Sequence, residues 1–142
     1  MLMTIEPTQP GGKTPDQADR PTYQILLVSD DTVVVEAMAA AVRMEGHVPT
    51  VVSTGEEALR CIHSHDYDLV ASKFDLPAMN GEELARWVKA FRPRQPFVLV
   101  MNERDRCDPH QRSVADVVLH KPFTLQEARE VFYKLLESAT PR

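Results

Sequence analysis

Long hydrophobic runs are missing from this chain. No stretch approaches the roughly 18 apolar residues of a membrane span, and the amino terminus has no apolar segment of signal-peptide length, so a soluble, cytoplasmic protein with no membrane role is expected. Cysteine is scarce too: Cys61 and Cys107 stand far apart, with no Cys-x-x-Cys and no histidine spaced for zinc, which excludes a disulfide scaffold and a metal finger. Positive charge is in the minority, 16 Lys and Arg against 21 Asp and Glu. A net charge of -5 argues against general nucleic-acid binding, which needs clustered cations to displace counterions from phosphates. The basic stretch Lys89, Arg92, Arg94 reads as the solvated end of a helix. Ser29 has no general base nearby and no Gly-x-Ser-x-Gly or glycine-rich phosphate loop accompanies it, so hydrolase and nucleotide-binding readings are poor.

What is present is an average globular composition, 43% hydrophobic and 26% charged, in a length suited to one domain. Residues 1–21 carry Pro7, Pro10, Gly11, Gly12, Pro15 and Pro21 among polar residues and are expected to be a flexible tail. The domain is expected over 22–138, with a short tail at 139–142. From Tyr23 onward, short apolar runs alternate with segments of helical period, the pattern of βα units around a parallel sheet. Strands are expected at Ile25 to Val28, Val48 to Val52, Leu69 to Lys73, Phe97 to Met101 and about Asp116 to Leu119. Pro49 removes a ladder hydrogen bond and assigns the second strand to a sheet edge, which fits strand order 2-1-3-4-5.

The first helix is expected to bury the stripe Val34, Ala37, Met38, Ala41 and to stop at Gly46. Three later helices open with capping-box spelling: Thr54 with Glu57, Asn80 with Glu83, and Thr124 with Glu127. The helix opened by Asp108-Pro109 has room only to Ser113, so five helices are expected with the fourth short or irregular. Ala128, Val131, Phe132, Leu135 and Leu136 give the last helix one apolar face. Trp87 is expected to cover a sheet edge or helix groove. His47, His63, His65, His110 and His120 form no cluster and read as scattered surface residues.

In an open parallel sheet, ligands bind outside the carboxyl ends of the central strands. Those ends are Ser29-Asp30-Asp31, Lys73, Met101-Asn102 and His120-Lys121. Together with the loop Phe74-Asp75-Leu76-Pro77-Ala78-Met79-Asn80-Gly81 and the Lys121-Pro122-Phe123 signature, they resemble, over about 23 to 138, a response-regulator receiver domain. The resemblance implies a flavodoxin-like (CheY-like) three-layer sandwich. It also implies a site in which Ser29 and Asp30 stand at an acid pair that holds magnesium and Lys73 at the phosphoacceptor Asp. Met101 stands at the Thr or Ser that follows phosphate, Val118 at the aromatic switch residue, and Lys121 at the family lysine.

The departures decide the expectation. A lysine protonated to about pH 10 offers neither the nucleophile nor a metal ligand. Its charge about 4 Å from a divalent cation would cost roughly 8 kcal/mol at an effective dielectric near 20. The expected protein is therefore an atypical pseudo-receiver of two-component or phosphorelay signalling, not an enzyme, and independent of phosphorylation. Magnesium is not expected, Asp30 being the one weak candidate ligand, and Lys73 is expected to take the metal's place against Asp30 and Asp31 with Lys121 approaching from the other side. Its partners would be proteins of a signalling pathway, such as a histidine kinase or an output protein, with homodimerisation expected through the last helix region. Two alternatives stand beside this reading: a conventional magnesium-dependent phosphoacceptor using Asp75, and a small flavodoxin-like ligand-binding protein with a pocket at the strand ends.

Overall fold

The computed structural model describes residues 21–102, 105 and 113–138. The expected tails over 1–21 and 139–142, apart from Pro21, and almost all of the short helix after Asp108 lie outside the described residues. Five strands form one parallel sheet: β1 (Gln24–Val28), β2 (Val48–Val52), β3 (Leu69–Lys73), β4 (Phe97–Met101) and β5 (Val117–His120), in the order β2-β1-β3-β4-β5. Among the described residues there are four helices, α1 (Thr32–Met44), α2 (Gly55–Ser64), α3 (Gly81–Phe91) and α4 (Leu125–Ser138). This is the flavodoxin-like (CheY-like) architecture. β2 is an edge strand, and its Pro49 lies opposite Ile25 of β1, its one neighbour.

Strand side chains alternate between faces with period two, which divides the core. Leu26, Val28, Val70, Phe97, Leu99 and Met101 pack with Ala58 and Ile62 of α2 and Leu84 and Val88 of α3. Ile25, Leu27, Leu69, Ala71, Val98 and Val100 pack on the other side with α1 and with Phe132 and Leu136 of α4. Both faces of the central strands are covered, as their near-continuous apolar spelling requires.

Local signals set the helix ends. Asn80 Oδ1 accepts from Glu83 N at 2.8 Å while Glu83 Oε1 accepts from Asn80 N at 3.0 Å, a complete capping box. Thr124 and Glu127 make the same reciprocal pair at 3.0 and 2.8 Å. Gly46 at φ +87 ends α1, with Gly46 N donating to Arg43 O and His47 N to Val42 O, a Schellman turn.

Four expectations are corrected. The buried face of α1 is Val35, Met38, Ala39 and Val42, rotated from the expected Val34, Ala37, Met38, Ala41, because Val33-Val34-Val35 and the alanine run offer several apolar stripes of similar hydrophobicity. Asp116 precedes β5 instead of opening it: its carboxylate accepts from Phe97 N at 2.8 Å and Lys89 Nζ at 2.7 Å. The basic stretch is accordingly not simply solvated, since Lys89 is tied to Asp116 and to Gln95 O, and Arg92 pairs with Asp66 at 2.9 Å. Trp87, expected to cover a groove, is 61% exposed.

Candidate functional site

The carboxyl ends of β1, β3 and β4 converge at one rim of the sheet. Lys73 ends β3, and its Nζ donates to Asp30 Oδ1 at 2.8 Å, the side chains being 19% and 41% exposed. The hydrogen bond from the Lys73 ammonium, with its charge, holds the Asp30 carboxyl below the usual carboxylate range against the opposing effect of burial. Reciprocally, Asp30 raises the Lys73 pKa, with smaller contributions from the charges of Asp75 and Asp31.

Asp31 is committed to local structure. Its Oδ1 accepts from Val34 N at 3.3 Å as the N-cap of α1, and its own N donates to Ser29 Oγ at 3.0 Å. Ser29 is thus an acceptor in the turn between β1 and α1. Asp75 is exposed in the loop after β3 and makes no side-chain hydrogen bond among the described residues, acting on Lys73 through its charge.

Lys121 is half-buried; its backbone N donates to Met101 O at 2.8 Å, and its peptide bond to Pro122 is cis. With Lys73 it lines a cavity of about 20 Å3 beneath the strand ends, alongside Ser29, Val34 and Val100, room for one water. It makes no ion pair among the described residues, so the expected approach to Asp30 is absent. Met101 and Val118 belong to the other side: Met101 is 7% exposed and, with Val118 against it, sits in the core cluster under α2 and α3.

The loop from β3 to α3 is held close. Gly81 N donates to Phe74 O at 2.7 Å, and a Cβ at Gly81 would lie 2.4 Å from Lys73 O, so only glycine fits there. Ala78 takes φ 66, left-handed backbone in the same loop. Among the described residues no three His, Cys, Asp or Glu come together as a metal-ligand group, and no helix is long and apolar enough to cross a membrane.

One polar residue beside this region carries no sequence signal. Glu82, 7% exposed, accepts from Ser113 Oγ and, at 3.0 Å, from Val114 N, tying the approach to β5 onto α3. The capping-box spelling draws attention to its neighbour Glu83, and a partner 31 residues away leaves no local trace.

The model of the response regulator receiver domain matches residues 25–133, the sheet apart from Gln24 and most of α4. The chain belongs to the receiver-domain family. This receiver is 28% identical over 126 residues to the transcription factor SKN7 of Saccharomyces cerevisiae, covering 86% of the chain and 20% of that protein. It is 31% identical over 121 residues to the response regulator MprA of Mycolicibacterium vanbaalenii, covering 83% and 52%. The receiver thus spans from a fifth to about half of these relatives. Among solved structures, a CheY-like receiver domain from Methanospirillum hungatei superposes with TM-score 0.76 at 22% identity, covering 84% of the receiver and 97% of that chain. The response regulator TrrA of Thermotoga maritima, solved in complex with magnesium and beryllofluoride, gives 0.70 at 28%, covering 80% and 99%.

Proposed function

We propose that this receiver signals through protein contacts without accepting a phosphoryl group. The observation that carries the reading is the Lys73–Asp30 ion pair, 2.8 Å long, at the end of β3 where the family motif leads one to expect the acceptor carboxylate. An ammonium cannot become an acyl phosphate, and with its proton it is no nucleophile.

Magnesium, present in the TrrA structure, does not fit the residues at this rim. The hard cation takes oxygen ligands and is held by one or two carboxylates. Of the candidates, Asp30 is occupied by Lys73, Asp31 caps α1, and Ser29 accepts from Asp31 N. A cation entering would displace an ammonium and meet its repulsion.

The coupling residues point the same way. A hydroxyl at the end of β4 and an aromatic ring on β5 would link phosphate to the far face of the domain; Met101 and Val118 are instead apolar members of a packed core. Beside Lys73 the space at the strand ends is about 20 Å3, room for one water, whereas the neighbouring depression of about 780 Å3 lined by Asn102, Lys121, Pro122 and Phe123 is open to solvent. The partners we propose are a sensor kinase or an output protein of a cytoplasmic signalling pathway, with no nucleic-acid contact by this domain. Apart from Leu125, the exposed residues of the last helix, Gln126, Glu127, Glu130, Lys134 and Glu137, are polar and mostly acidic, which disfavours a dimer through it.

Calorimetric titration of magnesium into the wild type and Lys73→Asp tests the reading. No binding heat in the wild type and a saturable one in Lys73→Asp support it. Equal magnesium affinity in both proteins contradicts it.

A further inference from the structure

Strand β2 leaves one side of the sheet unpaired: among the described residues its one neighbour is β1. An edge of this kind presents N–H and C=O groups to any strand that approaches, a ready route by which two copies of a chain join their sheets. The side chains leave that approach open, Val48 being 43% and Val51 37% exposed. What the edge can offer a second strand depends on which residues turn their backbone groups outward.

The ladder to β1 decides this. Val48 N donates to Tyr23 O at 2.9 Å and Ser29 N donates to Val52 O at 3.0 Å, so Val48 and Val52 turn inward. Backbone groups alternate along a strand, which turns Thr50 inward as well and Pro49 and Val51 outward. Pro49 stands opposite Ile25 in register, but the N–H that it lacks would point away from β1. The proline therefore costs the sheet no hydrogen bond. It leaves Val51 N–H as the one outward donor of β2.

The missing donor falls where a second copy would need it. Antiparallel pairing of β2 with its two-fold mate about an axis at Thr50 sets residue 49 of each copy against residue 51 of the other, and a pair of this type exchanges both N–H···O bonds. With proline at 49 each pair loses one of them, and the ring Cδ stands where the carbonyl of the other copy would approach. We infer that Pro49 closes the free edge of this sheet to a second copy of the chain, preventing extension of the sheet through β2. The inference is independent of whether the domain is phosphorylated.

The test is sedimentation velocity over a range of concentrations on the full chain, wild type against Pro49→Thr, paired with amide hydrogen exchange read at Thr50 and Val51. In dilute wild type the Thr50 amide, bonded to β1, is expected to exchange slowly and the outward Val51 amide quickly. Pro49→Thr restores a donor in each copy and is expected to raise the association constant about thirtyfold, the worth of two ordinary hydrogen bonds, with the Val51 amide becoming protected as concentration rises. Adding Val51→Pro moves the block two residues along without touching the ladder to β1, and is expected to abolish that gain. Melting curves accompany each variant, and Pro49→Ala, which restores the same N–H, decides if Pro49→Thr does not fold. A Pro49→Thr protein that associates no more than the wild type overturns the inference. So does a gain that Val51→Pro leaves in place, or a Val51 amide as slow as that of Thr50 in dilute wild type.

Discussion

Cutting the Lys73–Asp30 pair has a calculable consequence for stability. At 2.8 Å the two unit charges attract by about 1.5 kcal/mol in bulk water and roughly 6 kcal/mol at an effective dielectric of 20. Asp30 is 41% exposed, which places the pair nearer the first figure, and desolvation of Lys73, 19% exposed, offsets part of that. The net coupling should be about 1 kcal/mol, at the upper end for partly exposed pairs. Lys73→Met keeps the aliphatic stem and Asp30→Asn keeps the shape of the partner, so a double-mutant cycle between them isolates the charge interaction. The signature is its pH dependence. Asp30 has a lowered folded pKa, so its contribution is complete above the ordinary 3.8 and lost as pH falls through the folded value. Lys73 has a raised one, so its contribution is complete below 10.5 and lost as pH rises through the folded value. Urea unfolding at neutral pH should give the full coupling, and the same cycle in acid should give almost none. A coupling below about 0.3 kcal/mol at neutral pH, or one equally large in acid, refutes this reasoning.

Two more outcomes concern the loop beneath the pair. Gly81→Ala puts a Cβ 2.4 Å from Lys73 O and 2.7 Å from Leu99 Cδ1, and backbone at that distance cannot move aside as a side chain can. Denaturant unfolding should show a loss of about 2–3 kcal/mol, the usual cost of overpacking, and a neutral result would contradict the close approach. Ala78→Gly relieves left-handed backbone worth roughly 1–2 kcal/mol but gives the unfolded chain more freedom, so a net gain of about 0.5 kcal/mol is expected. A melting temperature lower than that of the wild type would count against it.

Much of this architecture was legible in the residues because the signals were local. Pro49 marked the edge strand, Asn80 with Glu83 and Thr124 with Glu127 marked helix starts, and Gly46 marked a stop. Each depends on atoms a few residues apart. The facing of α1 was not legible, since Val33 to Val35 and the alanines beyond offer several stripes of equal hydrophobicity, and only the neighbouring sheet chooses Val35, Met38, Ala39 and Val42. Likewise the roles of Asp116 and Glu82 depend on Lys89, Phe97, Ser113 and Val114, groups brought near by the fold. At the rim, family spacing pointed to Lys73 and Asp30, but it grouped Met101 and Val118 with them although strand alternation assigns those two to the core under α2 and α3. The exposure of Trp87 ran against its hydrophobicity, and no local signal in the residues marks it.

The most direct measurement of the central claim is the intact mass of the wild type after incubation with acetyl phosphate and magnesium. The account predicts an unmodified mass. A gain of about 80 Da that disappears in Asp75→Asn would contradict it, because the protein would then carry a working phosphoacceptor two residues beyond Lys73.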